Sequence, residues 1–280
     1  MPSQLNTKSN NMTAGAERER FQNEADKYAA YLETPEGRLR LDLAFANLQE
    51  FLPKPLATRP MAALDLGGGT GALSLRLARL GFHVTLLDSS LPMLDIAKRT
   101  AEEGRVAEKI VLKQGDADQL AKLFPAEVFD VILCHNVLEF VENPDDVMRS
   151  ASRLMRDSSA VLSVLVRNQA GEVLKVGIQS GDLAAAEYNL TAQWGNESLY
   201  GGKVRLFSRD TLQAVLTASS LTVIAARGVR VISDYLPPRV SRNAEYDQIF
   251  ELERKLGNRP EFAAIARYTH CIARCAAPVR

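Results

Sequence analysis

The 280-residue sequence carries no excess of either charge: 34 Lys and Arg stand against 34 Asp and Glu. A dedicated nucleic-acid binder has a basic surplus, so the balance argues against that role while leaving room for a local basic patch. Cysteine is scarce, with only Cys134, Cys271 and Cys275. An odd count, without metal-ligand spacing to the three histidines, reads as reduced thiols in a reducing compartment and predicts no metal site. Long apolar runs are missing too. No stretch is long enough to span a bilayer, and the amino terminus is polar rather than signal-like, so a soluble cytoplasmic chain is expected. The hydrophobic share of 46% is that of an ordinary globular core, and the length suits one large domain or one domain with an insertion.

Glycine is concentrated rather than scarce at one place. Ala63-Leu64-Asp65-Leu66-Gly67-Gly68-Gly69-Thr70-Gly71-Ala72 holds four glycines within five positions. An apolar run, Met61 to Leu66, reads as a buried strand, and Ala72 to Leu80 repeats apolar residues at helical spacing. A strand entering a helix through such a turn leaves backbone N–H groups unpaired, and without Cβ atoms a ligand can lie on them. A tight turn with no ligand is the alternative. Read as Gly67-x-Gly69-x-x-Ala72, the turn fits a dinucleotide (NAD) fingerprint, with Asp88 placed as the ribose-binding acid. Read as Asp65-x-Gly67-x-Gly69-x-Gly71, it resembles the first motif of the class I S-adenosylmethionine methyltransferases. In that family the acid before the glycines helps hold the amino-acid end of the cofactor.

Along the chain, residues 1–16 are polar and are expected to be a disordered tail. Residues 17–58 read as a helical pair, Glu17–Tyr31 and a second helix begun by Thr34-Pro35 and running to about Phe51. The pair is expected either to cover a cofactor cleft as a lid or simply to pack on the sheet. Phe82 to Leu87 is a second strand ending at Asp88, which suits the ribose hydroxyls of an adenosine or a helix N-cap. Met93 falls near an adenine ring or in the core. Ile110–Leu112 is a third strand, and the acid after it, Asp116, suits an adenine contact or a turn. Phe129 to Asn136 is the fourth strand and its exit. His135, at that exit, suits a cofactor contact, a substrate contact, a base or a satisfied structural histidine. A helix over 144–155 and a strand over 160–166 complete five βα repeats, hence a parallel doubly wound sheet.

Beyond that the pattern changes. Residues 168–207 mix helix and loop, and read as a substrate-region insertion in a domain spanning 59–280. A helix over 208–219, a strand from Leu221 to Asp234 with Gly228 as a bend or bulge, another helix and a last strand from Ala266 to Cys275 follow. Two long strands around a helix suit a terminal antiparallel hairpin. The predicted fold is therefore α/β, Rossmann-like, with a mostly parallel seven-stranded sheet. Too little chain remains for the separate substrate domain of a NAD dehydrogenase, which favours S-adenosylmethionine.

Three further segments carry a second resemblance: His135-Asn136-Val137-Leu138-Glu139-Phe140-Val141-Glu142-Asn143-Pro144, Gly228 through Leu236, and Leu252-Glu253 through Ala266-Arg267-Tyr268-Thr269-His270. From about Tyr31 to Arg274 the chain resembles the bacterial tRNA 5-carboxymethoxyuridine methyltransferase family, which methylates the carboxylate of a modified wobble uridine. The resemblance implies cofactor contacts from Arg40, Gly67, Gly68, Asp88, Asp116, Ala117 and His135, with Arg40 pairing the cofactor carboxylate. Asp65, Gly69, Gly71 and Met93 complete the expected cofactor set. The family's dense lysine cluster is thinned here to Lys203, Arg205 and Arg209. Arg227, Arg230, Arg239 and Arg242 form either a second basic patch or a solvated surface.

The leading expectation is methyl transfer from S-adenosylmethionine to tRNA or to a small-molecule acceptor. Arg230 would position a carboxylate acceptor, whereas a hydroxyl or carbon acceptor needs a base, with His135 the nearest. A NAD-dependent oxidoreductase and a non-catalytic S-adenosylmethionine-binding protein are the alternatives.

Overall fold

The computed structural model describes residues 22–54, 59–124, 128–197, 199 and 201–276. The polar segment 1–16, the start of the helix expected from Glu17, and Tyr200 lie outside the described residues. Two helices come first, α1 (Ala25–Glu33) and α2 (Pro35–Gln49). The alternation is β1 (Ala62–Leu66), α3 (Ala72–Arg79), β2 (His83–Asp88), α4 (Leu91–Glu103), β3 (Ile110–Gln114), α5 (Leu120–Leu123), β4 (Val131–His135), α6 (Pro144–Leu154) and β5 (Val161–Arg167). After it come α7 (Gln169–Lys175), α8 (Leu183–Asn189), β6 (Trp194–Asn196), β7 (Lys203–Arg205), α9 (Arg209–Ala218), β8 (Leu221–Val229), α10 (Tyr246–Gly257), α11 (Pro260–Ala263) and β9 (Tyr268–Cys275).

The seven-stranded sheet runs β3-β2-β1-β4-β5-β9-β8. Strands β1 to β5 pair in parallel, and β9 enters antiparallel to both β5 and β8. Strand order reverses between β1 and β4, so a crevice opens there at the carboxyl ends of the strands. Strand β4 is buried on both faces. Ile132 and Cys134 join the core under α6 and α9, while Val131 and Leu133 join the core under α3, which is why the run is continuously apolar. Helix α2 begins as its sequence predicts, with the Thr34 side chain accepting the Gly37 N–H and Pro35 in the first turn. Its Leu39, Leu43 and Ala44 pack on Leu165, Val229 and Tyr268, so this helix is part of the sheet's own core.

Two expectations need correction. The strand from Leu221 stops at Val229 rather than Asp234, because Arg230 turns into the left-handed region at φ 62° and Ser233–Tyr235 form a helical turn. The irregularity in this strand falls between Val223 and Ala225, not at Gly228. Gly228 instead admits a close neighbour: a Cβ there would lie 2.8 Å from the Ala263 Cα. The short antiparallel pair β6–β7 has too few residues to show a period-two signal and was not expected.

Candidate active site at the carboxyl ends of the strands

The glycine turn forms one wall of a cavity of about 1220 Å³. Gly67 and Gly69 lie at φ 63° and 53°, a conformation that glycine adopts without steric cost. A Cβ on Gly67 would meet Val137 Cγ2 at 2.5 Å, so the exit of β4 closes tightly over the turn. Gly71 caps α3 at φ 79° and serves packing, since its Cβ would meet Ala97 and Leu86 at 3.2 and 3.3 Å. Asp65 and Gly68 border a smaller cavity of about 30 Å³, which shares Tyr28, Arg40, Gly67, His135 and Asn136 with the large one. Asp65 is buried and accepts the Ser74 hydroxyl at 2.7 Å. Burial raises its pKa to about 6 against that hydrogen bond, with Asp88 adding to the rise.

Asp88, at the end of β2, accepts the Gly69 N–H through Oδ2 and the Ser90 N–H through Oδ1, both at 2.9 Å. It therefore does two jobs. One carboxylate locks the turn and the start of α4, and its oxygens still have lone pairs for ligand hydroxyls on the cavity side. Burial raises its pKa in spite of these bonds. Met93, Asp116 and Ala117 continue the same wall, with Asp116 accepting the Asp118 N–H at 3.0 Å.

Arg40 reaches the opposite side from α2. It donates to the Tyr28 hydroxyl at 2.9 Å and to Asn136 Oδ1 at 3.1 Å. Asn136 sits at φ 55°, which Asn tolerates better than most residues, and its amide donates to Glu139 Oε1 at 3.0 Å. His135 accepts or donates at Nε2 to Ser163 Oγ, 2.8 Å away. Burial, and after it the charges of His270 and Arg40, push its pKa well below the usual histidine range. Its neutral form is therefore the favoured one.

The far end of the cavity joins Arg40 and Arg230, both expected at the site, to Tyr268, Arg167 and Arg267, which sequence reasoning missed. Tyr268 is buried, with the guanidinium carbons of Arg40 and Arg230 at 5.8 and 5.9 Å from its ring centre. Arg167 and Arg267 add their charge to the same wall. Burial alone would raise the Tyr268 pKa, but Arg40, Arg230, Arg167 and Arg267 outweigh it and pull the phenol down to about 8. Arg230 is held by Asp234 through Nε at 2.8 Å and by the Tyr31 hydroxyl at 3.0 Å. Arg167 pairs with Glu197 and Arg267 with Glu172. Trp194 lines the cavity with the Arg205 guanidinium 4.7 Å from its ring centre. Ion pairs take up two members of the expected second basic patch. Arg230 faces the cavity, Arg227 pairs with Glu50 and Arg242 with Glu36.

Among the described residues no group of His, Cys, Asp and Glu is arranged to hold a metal, and no helix is long and apolar enough to cross a membrane. The residues present do fit an adenosyl amino acid: a backbone cradle free of side chains, a buried carboxylate beside it, and a guanidinium across the turn.

Comparison with known proteins gives the same answer. The family described as "Methyltransferase domain" matches residues 64–163. The chain is 28% identical over 261 residues to the tRNA 5-carboxymethoxyuridine methyltransferase of Escherichia coli K12, covering 91% of this chain and 95% of that protein. A ubiquinone biosynthesis O-methyltransferase of Pseudomonas aeruginosa is 37% identical, over only 38% of this chain and 44% of its own length. Among solved structures, the Burkholderia thailandensis 1,6-didemethyltoxoflavin-N1-methyltransferase, with S-adenosylhomocysteine bound, superposes with TM-score 0.60 at 16% identity, over 99% of this chain and 93% of that one. Of the two cofactors that the glycine turn admits, these relatives select one: with the domain match lying on the stretch that carries the cradle, the chain is an S-adenosylmethionine-dependent methyltransferase.

Proposed function

We propose that the methyl acceptor is a carboxylate carried on a modified uridine of tRNA, as the name of the E. coli relative suggests. One observation carries the reading: four arginines surround Tyr268 at one end of the cavity, in a chain with no net charge. Such a field suits an anionic group brought in from solution. S-adenosylmethionine supplies a methyl group already activated by its sulfonium. In this reading the Gly67–Gly69 backbone, Asp88, Met93, Asp116 and Ala117 bind and orient the adenosyl part, and Arg40 takes the amino-acid carboxylate. Arg230, locked by Asp234 and Tyr31, holds the acceptor carboxylate in line. A carboxylate is ionised at neutral pH and needs no base, which agrees with a neutral His135. Helix α1 acts as the lid through Tyr28 and Tyr31, and α2, packed in the sheet's core, supplies Arg40. A tRNA substrate puts the reaction in the cytoplasm.

A second reading, a small-molecule carboxylate, is favoured by the thin charge at the rim, where Lys203 and Arg205 line the cavity and Arg227 and Arg242 are paired. Phosphate contacts supply much of RNA affinity, and few cations are placed to make them. The test is transfer of labelled methyl to tRNA from a strain lacking this gene, against a metabolite extract of the same strain. Label in uridine that mild alkali releases, as a methyl ester requires, supports the first reading. Label confined to the extract selects the second, and alkali-stable label contradicts the carboxylate.

A further inference from the structure

The segment between β5 and α9 ends in the β6–β7 hairpin, which borders the cavity. Trp194 and Arg205 are cross-strand partners there, and the Arg205 guanidinium lies over the indole, 4.7 Å from its ring centre. Trp194 lines the cavity and is still 44% exposed. An indole left this open forgoes much of the burial that an aromatic side chain supplies on folding. The hairpin also occupies the stretch where the family's lysine cluster is thinned to Lys203, Arg205 and Arg209.

Polar contacts tie the hairpin to both sides of the site. The Arg205 N–H donates to the Glu139 carbonyl at 3.1 Å, and its guanidinium donates to the Glu142 carbonyl at 3.3 Å. Both carbonyls belong to the exit of β4, whose Val137 closes over the glycine turn. Three residues beyond Trp194, the buried Glu197 pairs with Arg167, one of the four arginines around Tyr268. The Gly202 carbonyl accepts the Glu197 N–H at 2.8 Å and closes the hairpin. The indole thus stands on backbone anchored to the cofactor side and to the arginine end at once. The cation over its ring restrains it further, so little freedom is left to lose when a ligand binds.

We infer that Trp194 is a specificity-determining residue: its indole, backed by Arg205, stacks on a planar heteroaromatic ring whose carboxylate arm reaches the arginine end of the cavity. The inference rests on the carboxylate-acceptor reading above and narrows it to anions carried on an aromatic ring, in an RNA chain or free. Four arginines attract a carboxylate but do not tell one from another. A flat aromatic surface in the same cavity adds that distinction, because a nucleobase-like ring presents a π face and an aliphatic acid does not. Stacking also needs no phosphate contact, which suits a rim with few cations.

Trp194 is the chain's single tryptophan, so the emission of the full-length protein reports on this ring alone. The test titrates the protein, in the presence of S-adenosylhomocysteine, with 5-carboxymethoxyuridine, with tRNA from a strain lacking this gene, and with methoxyacetate, which has the carboxylate arm without the ring. Quenching by the nucleoside or the tRNA, and none by methoxyacetate, is expected. The nucleoside alone sufficing means that the free ring is recognised; quenching by tRNA only means that the ring is taken within RNA. No quenching by either, or equal quenching by methoxyacetate, overturns the inference. Trp194→Ala is expected to raise the KM of the quenching acceptor at least about 5-fold with kcat changed less than about 2-fold, and Trp194→Phe to recover most of the loss. A wild-type KM in Trp194→Ala, or a Phe variant as impaired as the Ala variant, contradicts stacking. Unchanged S-adenosylhomocysteine affinity shows that the Ala variant is folded, and if it does not fold the wild-type emission decides. Transfer of alkali-labile methyl without quenching is the failure of this inference alone. Quenching without such transfer is the failure of the carboxylate reading, and the stacked ring stands.

Discussion

Glu253 on α10 sets the direction of Arg230 at the end of β8 through the backbone that follows it. The buried Glu253 carboxylate accepts the N–H groups of Val231, Ile232 and Ser233 at 2.6, 2.9 and 2.7 Å. Three consecutive donors on one carboxylate define the turn, and that turn puts Arg230 in the left-handed region facing Asp234 and the cavity. Glu253→Gln keeps the shape but replaces one acceptor oxygen by a donor. The expected loss is about 1.5–3 kcal/mol of stability, the range for hydrogen bonds to a charged group. Chemical denaturation checks it. The acceptor KM should rise while S-adenosylhomocysteine affinity stays near wild type, because the cofactor cradle lies on β1 and β2.

Asp65 gives a pH signature of the glycine turn. Its carboxyl is buried and titrates at about 6, against 3.8 for the ordinary value, so the folded protein holds this proton more tightly than the unfolded chain. Its contribution to stability is fully present below pH 3.8 and is lost as pH rises through about 6. A separation of about two pH units corresponds to about 3 kcal/mol. Asp65→Asn cannot titrate and retains an oxygen for the Ser74 hydroxyl. Urea unfolding of the two proteins should therefore show the variant gaining on wild type by up to about 3 kcal/mol between roughly pH 4 and 7. A pH-independent difference contradicts the burial argument.

Tyr268 should limit the reaction at high pH. Below about 8 its phenol is neutral and takes nothing from the positive charge that Arg40, Arg230, Arg167 and Arg267 place at this end of the cavity. Above that, the phenolate cancels part of their charge, and kcat/KM for a carboxylate acceptor falls. In Tyr268→Phe the falling limb should vanish up to about pH 9.5, with kcat/KM at pH 7 changed less than about tenfold. A limb that persists in the variant assigns the ionisation to another group.

Local signals carried the first half of the chain. The glycine turn, the Thr34-Pro35 helix start and the five apolar strands each depend on residues close in sequence, and each is found where the pattern puts it. The acceptor end was legible only at Arg230, because the rest of it exists only where β9 lies between β5 and β8. Arg167, Arg230, Arg267 and Tyr268 then meet, although no short window of sequence contains them all. The end of β8 was misplaced for a related reason: its apolar pattern runs on, and it is stopped by Glu253, about twenty residues later. The expected arginine patch is thinned likewise, since Arg227 finds Glu50 177 positions away. Asn136 carried a signal that was passed over: an asparagine at a strand exit is a common occupant of the left-handed region.

The central claim is that the cradle between β1 and β2 binds the adenosyl cofactor through Asp88, whose carboxylate accepts the Gly69 N–H at 2.9 Å. Calorimetric titration of the purified protein and of Asp88→Ala with S-adenosylhomocysteine tests it most directly. The account predicts one site on the wild-type protein and at least about 30-fold weaker binding to a folded variant, as the loss of charge-assisted hydrogen bonds to a ligand requires. Equal affinities, or no binding to a folded wild-type protein, would contradict it.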